Sequence, residues 1–180
     1  MRWKSSNSVC MAAMVLSLAS CSEDRPDVGS ASVPGRVASA TLRNAAGDPV
    51  GSATVRRMAD GLSISITAAG LPPGLHGAHV HSIGKCEGPD FASAGPHWNP
   101  KAMKHGSVNP QGPHAGDLPN LVIGADGHGT LTATLARASL EALLDADGAA
   151  LVIHAAPDDL MTDPSGNSGA RLACGVLVAR

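Results

Sequence analysis

The chain has 180 residues, 13 Lys and Arg against 15 Asp and Glu, a formal charge of −2, and 43% hydrophobic but only 2% aromatic residues. Such a length supports one domain with a real core. The near balance of charge, with no basic run and no RNA-type motif, argues against nucleic acid as a partner.

Arg2 and Lys4 precede an apolar run from Val9 to Leu16 and then Leu18-Ala19-Ser20-Cys21, so residues 1–20 read as an export signal. The run is too short for a permanent membrane helix. Leu-Ala-Ser-Cys resembles the lipobox of bacterial lipoproteins, which implies cleavage before Cys21 and lipid on its thiol. The protein would then be anchored through Cys21 to a membrane of the cell envelope, facing the periplasm, and Ser22 resembles outer-membrane sorting. An ordinary signal peptide cut nearby is the alternative. Cleavage leaves 11 basic against 15 acidic residues, a formal charge of −4. Residues 21–36 carry Pro26, Gly29, Ser30, Ser32, Pro34 and Gly35 and read as a flexible tether.

From residue 37 to 180 the chain reads as all-β. Segments Val37 to Arg43, Val50 to Met58 and Leu62 to Ala68 alternate or are β-rich, and Ala46-Gly47-Asp48 and Asp60-Gly61 between them are hairpin turn signals, so a meander is predicted. Further strands are predicted near Ala78 to Ile83, Asn120 to Ile123, Gly129 to Leu135, Ala149 to His154 and Leu172 to Val178. A short helix fits Ser139 to Leu144. Gly84 to Leu118 holds five prolines and six glycines without periodicity. Loops that long are usually functional or disordered, and ligands would order this one. A second loop, Ala155 to Ala170, follows His154.

The histidines supply those ligands. On a strand, residues i and i+2 share a face, so His79 and His81 can offer two imidazoles to one ion, a copper-like pair. His105, His114 and Asp117 mix imidazoles with a carboxylate, which suits tetrahedral Zn²⁺. His97 lies between the groups and is placed to serve both. A single histidine is ordinarily a core or surface residue, and His76 and His128 are read that way.

Gly74-Leu-His-Gly-Ala-His79-Val-His81, Ser93-Ala-Gly-Pro-His97-Trp-Asn, Lys104-His105-Gly, His114-Ala-Gly-Asp117-Leu, Leu151-Val-Ile-His154 and Gly169-Ala-Arg171-Leu-Ala-Cys174-Gly resemble the copper/zinc superoxide dismutase family, in order, over roughly residues 37 to 180. The resemblance implies a Greek-key β-sandwich or flattened barrel with two long metal-site loops. It implies copper on His79, His81, His97 and His154, and zinc on His97, His105, His114 and Asp117, one ion of each per subunit. The substrate would be superoxide, dismuted to dioxygen and hydrogen peroxide in defence of the envelope. His97 would act as the bridging and proton-handling residue, and Arg171 would guide the anion. Asp158 would bridge His79 and His105 from outside the metals. The resemblance pairs Cys86 with Cys174, and cysteine counting agrees once Cys10 leaves with the signal and Cys21 takes lipid.

Two features depart from the family. The loop after His154 has Asp158, Asp159 and Asp163 but no lysine, so steering would fall to Lys85, Lys101 and Lys104 in the first loop. The exported part keeps only Phe91 and Trp98 as aromatics, so a homodimer would lack the usual aromatic anchors. The alternative from another class is a non-catalytic copper- and zinc-binding lipoprotein. A zinc hydrolase is disfavoured, because no carboxylate stands beside an open zinc position as general base.

Overall fold

The computed structural model describes Met1 and residues 37–180. The proposed signal segment, Cys21 and the tether to residue 36 lie outside the described residues, Met1 apart.

The meander forms as predicted. β1 (Val37–Asn44), β2 (Pro49–Met58) and β3 (Gly61–Ala69) pair antiparallel in succession. In β3 the side chains of Leu62, Ile64, Ile66 and Ala68 are buried while Ser65 and Thr67 are exposed, so the pleat sends one face to the core and the other to water. β4 (Gly74–His76) and β5 (Ala78–His81) follow, then a single 3-10 turn at Ala92–Ala94, β6 (Leu121–Ile123) and β7 (His128–Ala136). The short helix is present as α1 (Leu140–Leu143), with Ser139 as its N-cap accepting from the Ala142 N–H at 3.2 Å. β8 (Ala150–His154), β9 (Arg171–Val176) and β10 (Val178–Ala179) complete the chain.

The large sheet runs β5-β8-β9-β1-β2-β3-β7, with β10 beside β1, and β4 pairs with β6 separately. β4 leads into β5 through Gly77, and β6 turns into β7 with the Gly124 N–H donating to His128 O at 2.8 Å. The small sheet therefore links the two edge strands of the curled large one. This is the expected all-β flattened barrel. Two details differ from the sequence reading: β4 was not foreseen, because three residues are too few for an alternation to register, and the last strand is split at Leu177.

β8 is buried along its whole length. Leu151 and Ile153 join the main core with Leu42, Val55, Ile64, Ile66 and Leu143, while Ala150 and Val152 pack on the other side with Phe91, Ala94 and Cys174. The first long loop supplies that second layer. Cys86 at its start is bonded to Cys174 on β9, across a sequence separation of 88. A cross-link over a loop of this size stabilises by about 4 to 5 kcal/mol in the chain-entropy model. Replacing both cysteines by alanine is therefore expected to lower stability in urea by about that amount, and a midpoint equal to that of the parent protein would contradict it.

Candidate metal centre

β5 is the platform of the site. Its backbone pairs with the first long loop at two isolated bridges, His79 with Asp117 and His81 with His97. Between them the Val80 N–H donates to Gly116 O at 2.9 Å, and the Trp98 N–H donates to Val80 O at 2.8 Å. Gly116 must be glycine, since a Cβ would run into the Val80 carbonyl. The remaining element is β8, whose bulge between Ile153 and His154 sets His154 opposite Arg171 on β9.

Four buried nitrogens among the described residues have no hydrogen-bond partner: His79 Nδ1, His81 Nε2, His97 Nε2 and His154 Nε2. Donor atoms of these four residues lie within 4.8 Å of one another. An unpaired buried polar atom is costly, and four converging on one point are what a metal ion would satisfy.

A second set forms on the other side of the His97 ring. Asp117 Oδ1 lies 2.9 Å from His97 Nδ1, 3.1 Å from His105 Nδ1 and 3.2 Å from His114 Nδ1, and the last is 3.4 Å from His97 Nδ1. Tetrahedral ligands at ordinary Zn–N distances stand about 3.3 Å apart. These separations are the edges of such a tetrahedron. Donor atoms of His79, His97, His105 and Asp117 also lie within 4.8 Å of one another. We place His79 in the first set, because its Nε2–H donates to Asp158 Oδ2 at 2.7 Å and its free Nδ1 points to the other orphan nitrogens.

Nearly every ring is oriented through its other nitrogen. Asp158, itself buried, accepts from His79 Nε2–H and, through Oδ1, from His105 Nε2–H at 3.0 Å. His81 Nδ1–H donates to Gly95 O at 2.8 Å and His154 Nδ1–H to Gly169 O at 3.2 Å. The structure thus brings together all seven ligand candidates, with Asp158 in the bridging position expected of it.

Two supporting residues, Asn120 and Gly166, escaped the sequence reading, and a third, His76, was read only as a core or surface residue. Asn120 brackets Asp158, accepting its N–H at 2.8 Å and donating to its carbonyl at 2.9 Å. Gly166, at φ +64°, leaves room where a Cβ would strike Asp158 and His105. His76 is buried, with Nδ1 2.7 Å from His154 O and Nε2 2.8 Å from Pro72 O, so it ties β4 to the backbone of a ligand. Its assignment as structural holds, and His128 is exposed at the start of β7. The Gly-Asn-Ser-Gly stretch before Arg171 was the one available cue for Gly166.

Arg171 is half-buried on β9. Its guanidinium donates to Phe91 O at 2.6 Å and to Gly95 O at 2.8 Å, and Gly95 O is the carbonyl that also orients His81. Lys85 and Lys101 are exposed, whereas Lys104 Nζ lies 3.0 Å from Asp163 Oδ2 and is engaged.

Burial lowers His79, His81 and His154 to about 4, 2 and 3. Burial acts on His105 as well, but hydrogen bonds to Asp117 and Asp158 outweigh it and raise this ring to about 9. The same contacts overcome burial in the two carboxylates and hold both well below the usual range.

Residues 50–177 match the family model described as copper/zinc superoxide dismutase. "Superoxide dismutase [Cu-Zn] 1" of Aquifex aeolicus is 42% identical over 144 residues, covering 77% of this chain and 85% of that protein. "Superoxide dismutase [Cu-Zn]" of Caulobacter vibrioides is 43% identical over 147 residues, covering 78% and 84%. The crystal structure of a SOD-like protein from Bacillus subtilis superposes with a TM-score of 0.75 at 43% identity, over 81% of this chain and all of that one. The chain belongs to the copper/zinc superoxide dismutase family, whose members are oxidoreductases that use copper and zinc.

The proton balance of the site makes a test. In protein stripped of metal, the rings pulled down to about 4 and below are neutral above roughly pH 5, whereas His105 carries an extra proton up to about pH 9. A metal at His105 must displace that proton. Zinc affinity of the metal-free protein is therefore expected to rise with pH between 6 and 9, with about one proton released per ion. Isothermal titration in buffers of different ionisation heat counts those protons, and a zinc affinity that stays flat over that range would contradict the assignment.

Proposed function

We propose that the protein catalyses dismutation of superoxide to dioxygen and hydrogen peroxide, with copper held by His79, His81, His97 and His154 and zinc held by His97, His105, His114 and Asp117. The observation that carries this reading is the placement of His97, whose Nε2 belongs to the set of orphan nitrogens and whose Nδ1 belongs to the tetrahedron. Copper so bound supplies one-electron redox chemistry, by which two superoxide radicals and two protons become dioxygen and hydrogen peroxide.

The chain's own residues position and protonate. His97 Nε2 is the atom placed to hold a proton on the copper side and hand it to departing peroxide, while Nδ1 keeps the ring fixed in the zinc tetrahedron. Four protein ligands there would leave a bound zinc no open position, so that site would be structural and electrostatic. Asp158 couples the two sites, since one carboxylate orients a ring of each. Arg171 attracts and aligns the anion beside His154. Its two anchoring carbonyls belong to the disulfide-tethered loop, so it is held rigidly enough to act on a diatomic substrate.

We place this activity in the bacterial cell envelope, where it would protect the envelope from superoxide. The support is Arg2 and Lys4 before an apolar run and Leu18-Ala19-Ser20-Cys21. Cys21→Ser is expected to move the protein from the membrane fraction to the soluble exported fraction with its specific activity unchanged. Stable anchoring needs more than one acyl chain. Wild-type protein that fractionates as soluble and carries no lipid by mass spectrometry would contradict the placement.

A neighbour described only as SOD-like makes turnover, and not metal content, the deciding measurement. Purified protein loaded with both metals is expected to consume superoxide catalytically in pulse radiolysis. Arg171→Ala is expected to slow it about tenfold or more at every salt concentration with both metals retained, since a contact charge is little screened. Stoichiometric metal without turnover would instead establish the metal-binding alternative.

A further inference from the structure

The zinc-side ligand His114 is the one non-bridging ring whose outer nitrogen has no partner within hydrogen-bond distance. His79 and His105 donate to Asp158, and His81 and His154 donate to backbone carbonyls. His114 Nε2 faces Asp163 Oδ1 at 3.8 Å. That distance is a charge contact and not a hydrogen bond. Asp163 Oδ1 itself accepts the backbone N–H of His105 at 2.8 Å, and Oδ2 takes Lys104 Nζ at 3.0 Å. One carboxylate from the second loop therefore touches both zinc-side histidines, and a lysine of the first loop fixes its orientation.

The surrounding backbone makes Asp163 part of a seam. The Val108 N–H donates to Leu160 O at 3.0 Å and Asn109 Nδ2 donates to Met161 O at 3.2 Å, so residues 104–109 lie along residues 158–163. Asp158 closes the buried end of that seam and Asp163 the half-exposed end. A cavity of about 660 Å³ lined by His97, Trp98, Met103, Lys104, His114 and Asp163, among others, opens beside the exposed end. Two members of the tetrahedral set, His97 and His114, line that cavity.

We infer that Asp163 is a second positioning carboxylate for the zinc site, working in parallel with Asp158: it pegs the His105 backbone, faces the outer nitrogen of His114, and governs release of zinc through the adjoining cavity. The inference rests on the zinc assignment above. Asp163 touches neither orphan nitrogens nor any copper-set residue in the contacts around it, so its effect falls on one metal. This also gives the missing lysines of the second loop a physical reason, because Asp158 and Asp163 bind the first loop and a lysine in place of Asp163 would repel Lys104.

The test is metal release from the loaded, full-length protein into excess chelator, with zinc and copper followed separately. Asp163→Ala is expected to release zinc about 10–100-fold faster, the usual effect of removing an outer partner of a ligand, with copper release within twofold of wild type. Asp163→Asn keeps an acceptor for the His105 N–H but loses the charge facing His114, and is expected to fall between the two, several-fold faster than wild type. With Co²⁺ in place of zinc, the visible ligand-field bands should shift in the alanine variant and recover in the asparagine variant. Zinc release within twofold of wild type in both variants overturns the inference, as does equal acceleration for both metals, which would mean general loosening of the loops. If the alanine variant does not fold, Asp163→Asn decides alone, and wild-type release of zinc from it counts against the role. Wild-type protein that takes up no zinc would overturn the zinc assignment itself and this inference with it, a result distinguishable because it appears before any variant is compared.

Discussion

The structure turns on one ring that serves two donor sets. His97 presents Nε2 to three other orphan nitrogens and Nδ1 to a carboxylate and two imidazoles, so its orientation must be correct on both sides at once. No carbonyl or carboxylate outside the two sets is free to orient it, unlike most of the other rings. Its position therefore comes from the backbone, through the bridge between His81 and His97 and the Trp98 N–H to Val80 O contact. The rigidity of β5, paired to the fully buried β8, is in this sense part of the chemistry. The rest of the fold keeps that edge in place.

Burying so many imidazoles would be unfavourable if each ring had to find hydrogen bonds among apolar neighbours. The protein solves this by splitting each ring's nitrogens, one toward a metal-type set and one toward a carbonyl or carboxylate. Burial then works for the site, because it keeps the rings of His79, His81 and His154 neutral at physiological pH and ready as ligands. The zinc side is arranged differently. Two carboxylates around His105 favour positive charge there, which a divalent ion supplies better than a proton does.

How much of this was legible in the sequence depends on whether a residue acts by its side chain or through the backbone. The ligand candidates were legible, because His79 and His81 obey the strand period and His97, His105, His114 and Asp117 crowd into a loop with no other reason to be ordered. The meander was legible from Gly47 and Gly61 between alternating runs. Asn120 was not, since its work is to bracket another residue's peptide group, and neither was Gly166, whose role is to be absent from a crowded corner. His76 read as an ordinary core histidine, and only the fold brings it under His154. The anchoring of Arg171 was half legible: its nearness to Cys174 fixed the strand, but Phe91 O and Gly95 O as its partners depend on the 3-10 turn at Ala92–Ala94.

The charge arrangement departs most from the sequence expectation. Lys104 was expected among three lysines that draw the anion inward, yet its ammonium is paired with Asp163 on the zinc side, where its field is largely cancelled beyond a few ångströms. Lys85 and Lys101 are exposed and act through water of high dielectric, so each contributes weakly at distance. Arg171 sits in a less polarisable setting, half-buried and locked to two carbonyls, where a charge is felt more strongly by an approaching anion. In the function proposed above, attraction of the anion is consequently short-ranged and concentrated beside His154. A chain with a formal charge of −2 can tolerate that arrangement, because selection at the mouth of the site needs one well-placed cation more than a diffuse positive surface.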